Sequence, residues 1–323
     1  MLPTRNGVGP SCIALPPGPW PTIIDFLVER FDTVPRDEIE ARMLRGDVLD
    51  ATGGLVPPDQ PFRSHLKLYY YRDIAVEKRI PFDEIVLFED EHIVVADKPH
   101  FLPVTPGGRY LQETLLVRLK RRLGVDTLAP MHRIDRETAG LVLFTKQPHT
   151  RGIYQSLFSQ REVLKCYEAV AVFRADLSLP MTYRSRIVRT AHFMRMCEAD
   201  GVANAETRIE IIESNADAAR YGLQPASGKR HQLRVHMAAL GLPIRNDQIY
   251  PVHFSKDRIE KDDFSQPLQL LAKSIAFLDP ITAQQRRFES ARRLLPIGHA
   301  SISNRDATLW RAESSINRPP DSR

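Results

Sequence analysis

The hydrophobic pattern opens with a helical period. In TIIDFLVERF, Ile23, Ile24, Leu27 and Phe31 recur every three or four residues and gather on one helix face. A second helical stretch, PRDEIEARMLRGD, has Pro35 where a helix can start and Gly46 where one can stop. VLDATGGLVPP then reads as two short strands turning at Gly53-Gly54, and HLKLYYYR as a further strand. Two helices and a small sheet predict a minor domain over residues 22–75. The competing reading is a helical hairpin that only extends the main core.

A larger domain is expected over residues 80–295. It begins with an alternating run, EIVLFEDEHIVVADKP, stopped by Pro99. A helix from about Leu111 to Leu123 precedes a polar loop, MHRIDRETAG, and a continuous apolar strand, LVLF. Another helix covers about 150–162, followed by the strands KCYEAVAVF and ETRIEIIES. YGLQP, the polar turn ASGKR and a helix HQLRVHMAALG closed by Gly241 lead to a last strand, QLLAKSIAFL. Hairpin-like pairs alternate with crossover helices. The fold class is therefore α+β, with a mixed, largely antiparallel sheet and a small N-terminal α/β domain.

The two ends read differently. Pro3, Pro10, Pro16, Pro17, Pro19 and Pro21 would interrupt any helix, so residues 1–21 are expected to form an extended or disordered arm. Residues 296–323 mix Ser, Asn, Asp and Pro and read as a loose tail.

Composition narrows the class. A chain of 323 residues, 42% hydrophobic and 26% charged, is ordinary for a globular protein and suffices for one large domain and a small one. A net charge of +5 leans weakly toward an acidic polymer as partner. Cys12, Cys166 and Cys197 lack paired spacing, which excludes a disulfide framework or a zinc knuckle and reads as reduced thiols. No apolar run approaches the ~18 residues of a membrane helix, and the proline-broken N-terminus is not a secretory signal. The cytoplasm is the expected location.

The chemistry concentrates in His132-Arg133-Ile134-Asp135-Arg136-Glu137-Thr138-Ala139-Gly140. Asp135 lies between two arginines in a polar loop that feeds a buried strand. Neighbouring guanidinium groups favour its ionised form, which suits a nucleophile or base. A surface ion pair would explain the same residues. A second group is Ser227-Gly228-Lys229-Arg230-His231-Gln232-Leu233-Arg234, a basic turn before a helix. Helix-start N–H groups with Lys229 and Arg230 would attract phosphate. Arg230 and Arg234, four apart, are expected on one face, with Leu233, Met237 and Leu240 in the core. Tyr167, early in KCYEAVA, offers a ring to stack and a phenol to exchange protons, although a half-buried strand tyrosine is the commoner case. Arg118, Lys120, Arg121 and Arg122 form a further basic cluster.

In order and spacing, MHRIDRETAGLVLFTK, KCYEAVA, PASGKRHQLRVHMAALGLPI and LQLLAKSIAFLDPIT resemble the RluA-type pseudouridine synthases, as does IVLFEDEHIVVADKPHFLPVTPGG. The resemblance covers about residues 80–290. It implies the pseudouridine synthase fold and an isomerase that converts uridine to pseudouridine in structured RNA without cofactor or metal. It implies catalytic roles for Asp135, Tyr167 and Arg234, with Arg234 ion-paired to Asp135 and Tyr167 packed on the target base. Arg133 matches the arginine that enters the RNA stack, and Leu233 the aliphatic residue of the uracil pocket. Lys229, Arg230 and His231 complete the expected substrate-binding set. Glu137 and Ala139 stand where Asp and Ser are usual, Asn246-Asp247 replaces Gly-Asp, and Pro251 follows Tyr250 in place of glycine. Residues 22–75 resemble the RNA-binding domain shared with ribosomal small-subunit protein four, but with an acidic second helix.

The expected partner is RNA, ribosomal first and transfer RNA second, bound by a monomer with no membrane and no obligatory protein partner. Two rivals remain. A glycosidase would need a second placed carboxylate, which no motif supplies. A catalytically silent RNA-binding protein would gain little from Asp135, Tyr167 and Arg234 together.

Overall fold

In a computed structural model, residues 2–72, 77–190, 195–251 and 263–298 are described. The chain divides into two compact units, 1–79 with 105–126, and 80–104 with 127–323.

The first unit contains strand β1 (Ser11–Ala14), helices α1 (Ile23–Arg30) and α2 (Arg36–Leu44), and strands β2 (Val48–Leu49) and β3 (Lys67–Tyr70). Its antiparallel sheet runs β1-β3-β2. Helix α1 starts with a capping box in which the Thr22 hydroxyl accepts from the Asp25 N–H and the Asp25 carboxylate accepts from the Thr22 N–H. Its apolar face packs Ile23, Ile24, Phe26 and Leu27 against Ile39, Met43, Val48, Val56 and Leu68.

The proline-rich segment expected as a loose arm supplies β1, which pairs Ser11 with Tyr70 and Ala14 with Lys67. Its prolines flank the strand rather than interrupt it, and the Tyr71 hydroxyl donates to Pro3 O at 2.6 Å. The helix expected from Leu111 begins later, as α3 (Leu115–Leu123), and clusters with this first unit. The Glu77 carboxylate accepts from the N–H groups of Leu111, Gln112 and Glu113, which holds them as a loop up to the cap at Thr114. Arg118 pairs with Glu113, and Arg121 donates to Asn6 O, so these two cluster arginines serve the unit's own packing.

The second unit is built on a large sheet. Its strands are β4 (Ile85–Glu89), β5 (Ile93–Lys98), β6 (Ala129–Pro130), β7 (Ala139–Thr145), β8 (Leu164–Val172), β9 (Met181–Arg189), β10 (Met196–Ala199), β11 (Ala205–Ser214), β12 (Ala218–Pro225), β13 (Leu270–Leu278) and β14 (Gln285–Glu289). The main path runs β10-β9-β11-β12-β8-β13-β7-β5-β4, with β14 on β13 and β6 on β7. Among the described residues every pairing is antiparallel except β7 with β13, where Ala139 faces Leu271 and Gly140 faces Ala272. The expected α+β class with a mixed, mostly antiparallel sheet is the one observed. Strands β9, β10 and β14 carry no apolar run: in MTYRSRIVR, arginines alternate with half-buried residues, so only sheet pairing reveals the strand.

Among the described residues, two helices cover this sheet. Helix α4 (Arg151–Ser159) packs Tyr154 and Leu157 with Ile93, Val95, Leu141, Leu143, Ile275 and Phe277. Helix α5 (Gln232–Ala239) sets Leu233 and Met237 on Ala169, Ala171, Ile209, Tyr221 and Leu223. Gly140 marks the parallel junction with φ +108°, and a Cβ there would lie 2.3 Å from Ala272 O. Only glycine fits, so the polar loop before β7 emerges where the two antiparallel halves of the sheet meet.

Candidate active site

The loop Met131–Thr138 enters β7 and is anchored at both ends. His132 Nε2 accepts from the Leu143 N–H at 3.2 Å, and its ring stacks on Phe158 at 4.5 Å. Burial pulls this imidazole down to about 3, so His132 is a neutral structural group. At the other end, Lys98 is fully buried and its Nζ donates to Pro99 O at 2.9 Å and Arg136 O at 3.0 Å. Burial lowers its ammonium to about 7, against the opposing pull of Glu137 and Asp135. The His100 Nδ1 contacts Glu137 O at 2.7 Å.

Asp135 rises from this loop with about 24% of its side chain exposed. Its Oδ2 accepts from Arg234 Nη1 at 3.1 Å. Arg234 is 1% exposed, and Asp247 holds it from behind, with Nε to Oδ2 at 2.8 Å and Nη2 to Oδ1 at 2.7 Å. That planar, two-bond pairing fixes the guanidinium and leaves Nη1 to face Asp135. Asp247 Oδ1 also accepts from the Ile249 N–H at 2.8 Å and the Tyr250 N–H at 3.1 Å. Burial alone would raise the Asp135 carboxyl, but the charges of Arg234 and Arg230 and the Arg234 hydrogen bond, joined by His231 when its ring is protonated, outweigh it and hold the group below its ordinary range. The residue is a carboxylate at neutral pH, half-open to solvent and aimed by a buried cation.

The arginines adjacent in sequence do not do this. Arg136 turns away, donating from Nε to Phe101 O at 3.1 Å and from Nη1 to Glu137 at 3.2 Å. Arg133 is exposed. The expectation that these two neighbours keep Asp135 ionised is corrected: the charge that does so comes from a helix 99 positions away in the chain. A second correction concerns α5. Arg230 precedes the helix and is exposed, whereas Arg234 is buried within it, so they share no face.

The other expected residues fall around this pair. Tyr167 is on β8, opposite Leu223 and Ala272, and packs on the apolar cluster that contains Leu233. Burial and the charge of Asp135 both raise its phenol, so it stays protonated. Lys229 and Arg230 project from the turn before α5. The turn is pinned by Gln232, whose Oε1 accepts from Ser227 Oγ at 2.8 Å and the Lys229 N–H at 3.1 Å. His231, buried, has Nε2 3.8 Å from Asp135 Oδ1.

Sequence reasoning missed Asp247, Tyr250 and Lys98 as members of the site. Lys98 had one signal, a lone cation at the end of an apolar strand. Asp247 had none beyond its place beside Asn246, because its partner lies 13 residues back on a helix. Among the described residues no group of His, Cys, Asp or Glu could hold a metal ion.

Residues 92–239 match the family model described as RNA pseudouridylate synthase. An uncharacterized RNA pseudouridine synthase of Synechocystis is 27% identical over 232 residues, covering 71% of this chain and 79% of the relative. The tRNA pseudouridine(31) synthase of Saccharomyces cerevisiae is 32% identical over 53% of this chain and 47% of its own length. The human structure titled RNA pseudouridylate synthase domain containing 1 superposes with a TM-score of 0.54 at 19% identity, over 78% of this chain and 100% of that one, a likeness of fold. The matches span about half or less of the yeast and human curated relatives, 47%, 30% and 36% for three of them.

Proposed function

We propose that this chain, which belongs to the RNA pseudouridylate synthase family, isomerises uridine to pseudouridine in structured RNA with Asp135 as the catalytic carboxylate. The observation that carries the reading is the ionised, partly open Asp135 held by the buried Arg234–Asp247 pair.

The reaction breaks the bond from ribose C1′ to uracil N1, turns the base and forms a bond from C1′ to C5. The C5 proton goes to solvent and N1 takes up a proton, so nothing is oxidised or reduced. Asp135 adds to the sugar or the base, or deprotonates the sugar; all three routes need the anion. Tyr167, protonated and lining the same face as Leu233, serves as the stacking ring and a proton donor. Everting a uridine costs a few kcal/mol, which Arg133 in the vacated stack and Tyr167 under the base offset. Lys229 and Arg230 contact phosphate and give salt-sensitive affinity. A glycosidase reading fits poorly, because it requires a protonated carboxylic acid beside the nucleophile. Asp135 is held ionised, and Glu137 is engaged by Arg136.

Ribosomal RNA is the first proposed substrate, on the likeness of residues 22–75 to the domain of ribosomal small-subunit protein four. Transfer RNA is the second, favoured by the yeast relatives named as tRNA pseudouridine(31) and (32) synthases. The protein acts as a monomer in the cytoplasm without a protein partner. Mapping pseudouridines by chemical derivatisation in cells with and without it separates the two RNA classes.

The direct test is tritium release from RNA labelled at uracil C5. Asp135→Asn should lower turnover by about 10⁴-fold while RNA affinity changes less than about threefold. Near wild-type turnover in that variant rules out Asp135 as the reacting group.

A further inference from the structure

The histidine that opens α5 is the least explained group at the site. His231 has φ +55°, in the left-handed region, and its side chain makes no helix-cap hydrogen bond. A non-glycine residue held there, and buried, points to a use for the side chain. Its Nε2 lies 3.8 Å from Asp135 Oδ1, on the carboxylate oxygen that Arg234 leaves free. Its Nδ1 lies 3.0 Å from the Tyr250 hydroxyl.

The tautomer follows from counting protons. The Tyr250 oxygen already accepts from the Met196 N–H at 2.8 Å. Its own proton, in a residue 5% exposed, has one acceptor among the described residues, His231 Nδ1. A proton on Nδ1 would leave the buried phenol O–H without a partner, which a buried donor tolerates poorly. Tyr250 therefore donates to Nδ1, and the imidazole proton sits on Nε2, pointing at Asp135. The Tyr250 ring is fixed in turn, 5.4 Å from the Arg234 guanidinium and 5.6 Å from that of Arg195.

We infer that His231, oriented by Tyr250, is a positioning residue for the reaction, presenting an Nε2–H to the Asp135 oxygen opposite Arg234. The 3.8 Å separation is too long for a hydrogen bond and short enough to become one when substrate presses the loop toward α5. The carboxylate is then held by one donor on each oxygen, which fixes the direction of its remaining lone pairs. The charged and titratable groups around the imidazole are Asp135 and Asp247, which favour its protonation, and Arg234 and Arg230, which oppose it. Burial is the largest influence and keeps the ring neutral at pH 7. The inference rests on the proposed role of Asp135, and it reassigns His231 from RNA contact to aiming the carboxylate.

Two variants test it. His231→Asn suits the left-handed backbone, because asparagine tolerates φ above zero, and its shorter amide cannot reach Asp135. Tyr250→Phe keeps the ring on Arg234 and removes only the phenol. Both should lower single-turnover kcat by about 10–100-fold with RNA Kd within about twofold. Imidazole nitrogen shifts in wild type should show a protonated Nε2 and a bare Nδ1, a pattern lost in Tyr250→Phe. A protonated Nδ1 in wild type, an unchanged kcat in His231→Asn, or a loss found only in Kd overturns the inference. Activity surviving in Asp135→Asn would instead remove the function on which it rests.

Discussion

Replacing Arg234 by glutamine isolates the charge that keeps Asp135 ionised. The guanidinium Nη1 is 3.1 Å from Asp135 Oδ2. At an effective dielectric constant of about 20, unit charges at that distance attract by about 5 kcal/mol. Asp247 shares the same cation and Asp135 is 24% exposed, so much of this is offset by the neighbour and by water. The remainder matches a rise of about 1–3 pKa units, or about 1.4–4 kcal/mol. In wild type the Asp135 carboxyl titrates below its ordinary 3.8, so kcat should stay level from pH 8 down to 5. In Arg234→Gln the acid limb should move up into that window. Stability supplies a second reading of opposite sign. A depressed carboxylate stabilises the fold above its unfolded-state pKa and loses that contribution as pH falls through the folded value. Raised by the substitution, Asp135 makes the variant more stable on going from pH 7 to 5. Losing one partner of a buried pair should also cost about 3–5 kcal/mol at neutral pH. Arg234→Lys controls for this by keeping the charge, and its acid limb should stay near that of wild type. The assays are tritium release at saturating RNA and thermal unfolding across pH. An acid limb and a stability slope both unmoved in Arg234→Gln would refute the claim that Arg234 acts through the charge state of Asp135.

Gly140→Ala should prevent or severely weaken folding, by about 3 kcal/mol or more, because its Cβ would sit 2.3 Å from Ala272 O at the parallel junction; circular dichroism and thermal unfolding check it. Lys98, whose ammonium burial lowers to about 7, binds fewer protons folded than unfolded above that pH. Stability should therefore gain about 1–2 kcal/mol between pH 7 and 8.5, and Lys98→Met should lose that rise in denaturant titrations. Lys229→Ala should weaken RNA binding and reduce the slope of log Kd against log salt by roughly one unit; an unchanged slope removes Lys229 from the phosphate contacts.

Much of the fold was legible because strand and helix periods are local. The continuous apolar run after Gly140 announced a strand buried on both faces, and β7 is buried along its whole length. Leu233 and Met237 announced the apolar face of α5, and both lie in the core. The misses share a cause. β9 is arginine-rich and is a strand because β10 and β11 hydrogen-bond to it on either side. The prolines around β1 signalled disorder, whereas β3 recruits the residues between them. Residues 105–126 read as part of the larger domain because they follow β5 in the chain, yet they cluster with the first unit.

By itself the sequence determined which side chains were available: a carboxylate in a polar loop, a tyrosine on a strand, and a basic turn leading into an apolar helix. Only tertiary structure decided which charge serves which. Read from its neighbours alone, the carboxylate was expected to draw its counter-ions from Arg133 and Arg136, two and one residues away, and only the family resemblance implied Arg234. It draws on Arg234, because Asp247 and the surrounding core remove that guanidinium from water and aim it. A charge at the surface is weakened by water and screened over about 8–10 Å at ordinary salt, while one held in a buried pair keeps more of its field. Proximity in space and exclusion of water set the electrostatics of this site, and neither can be read from neighbours along the chain.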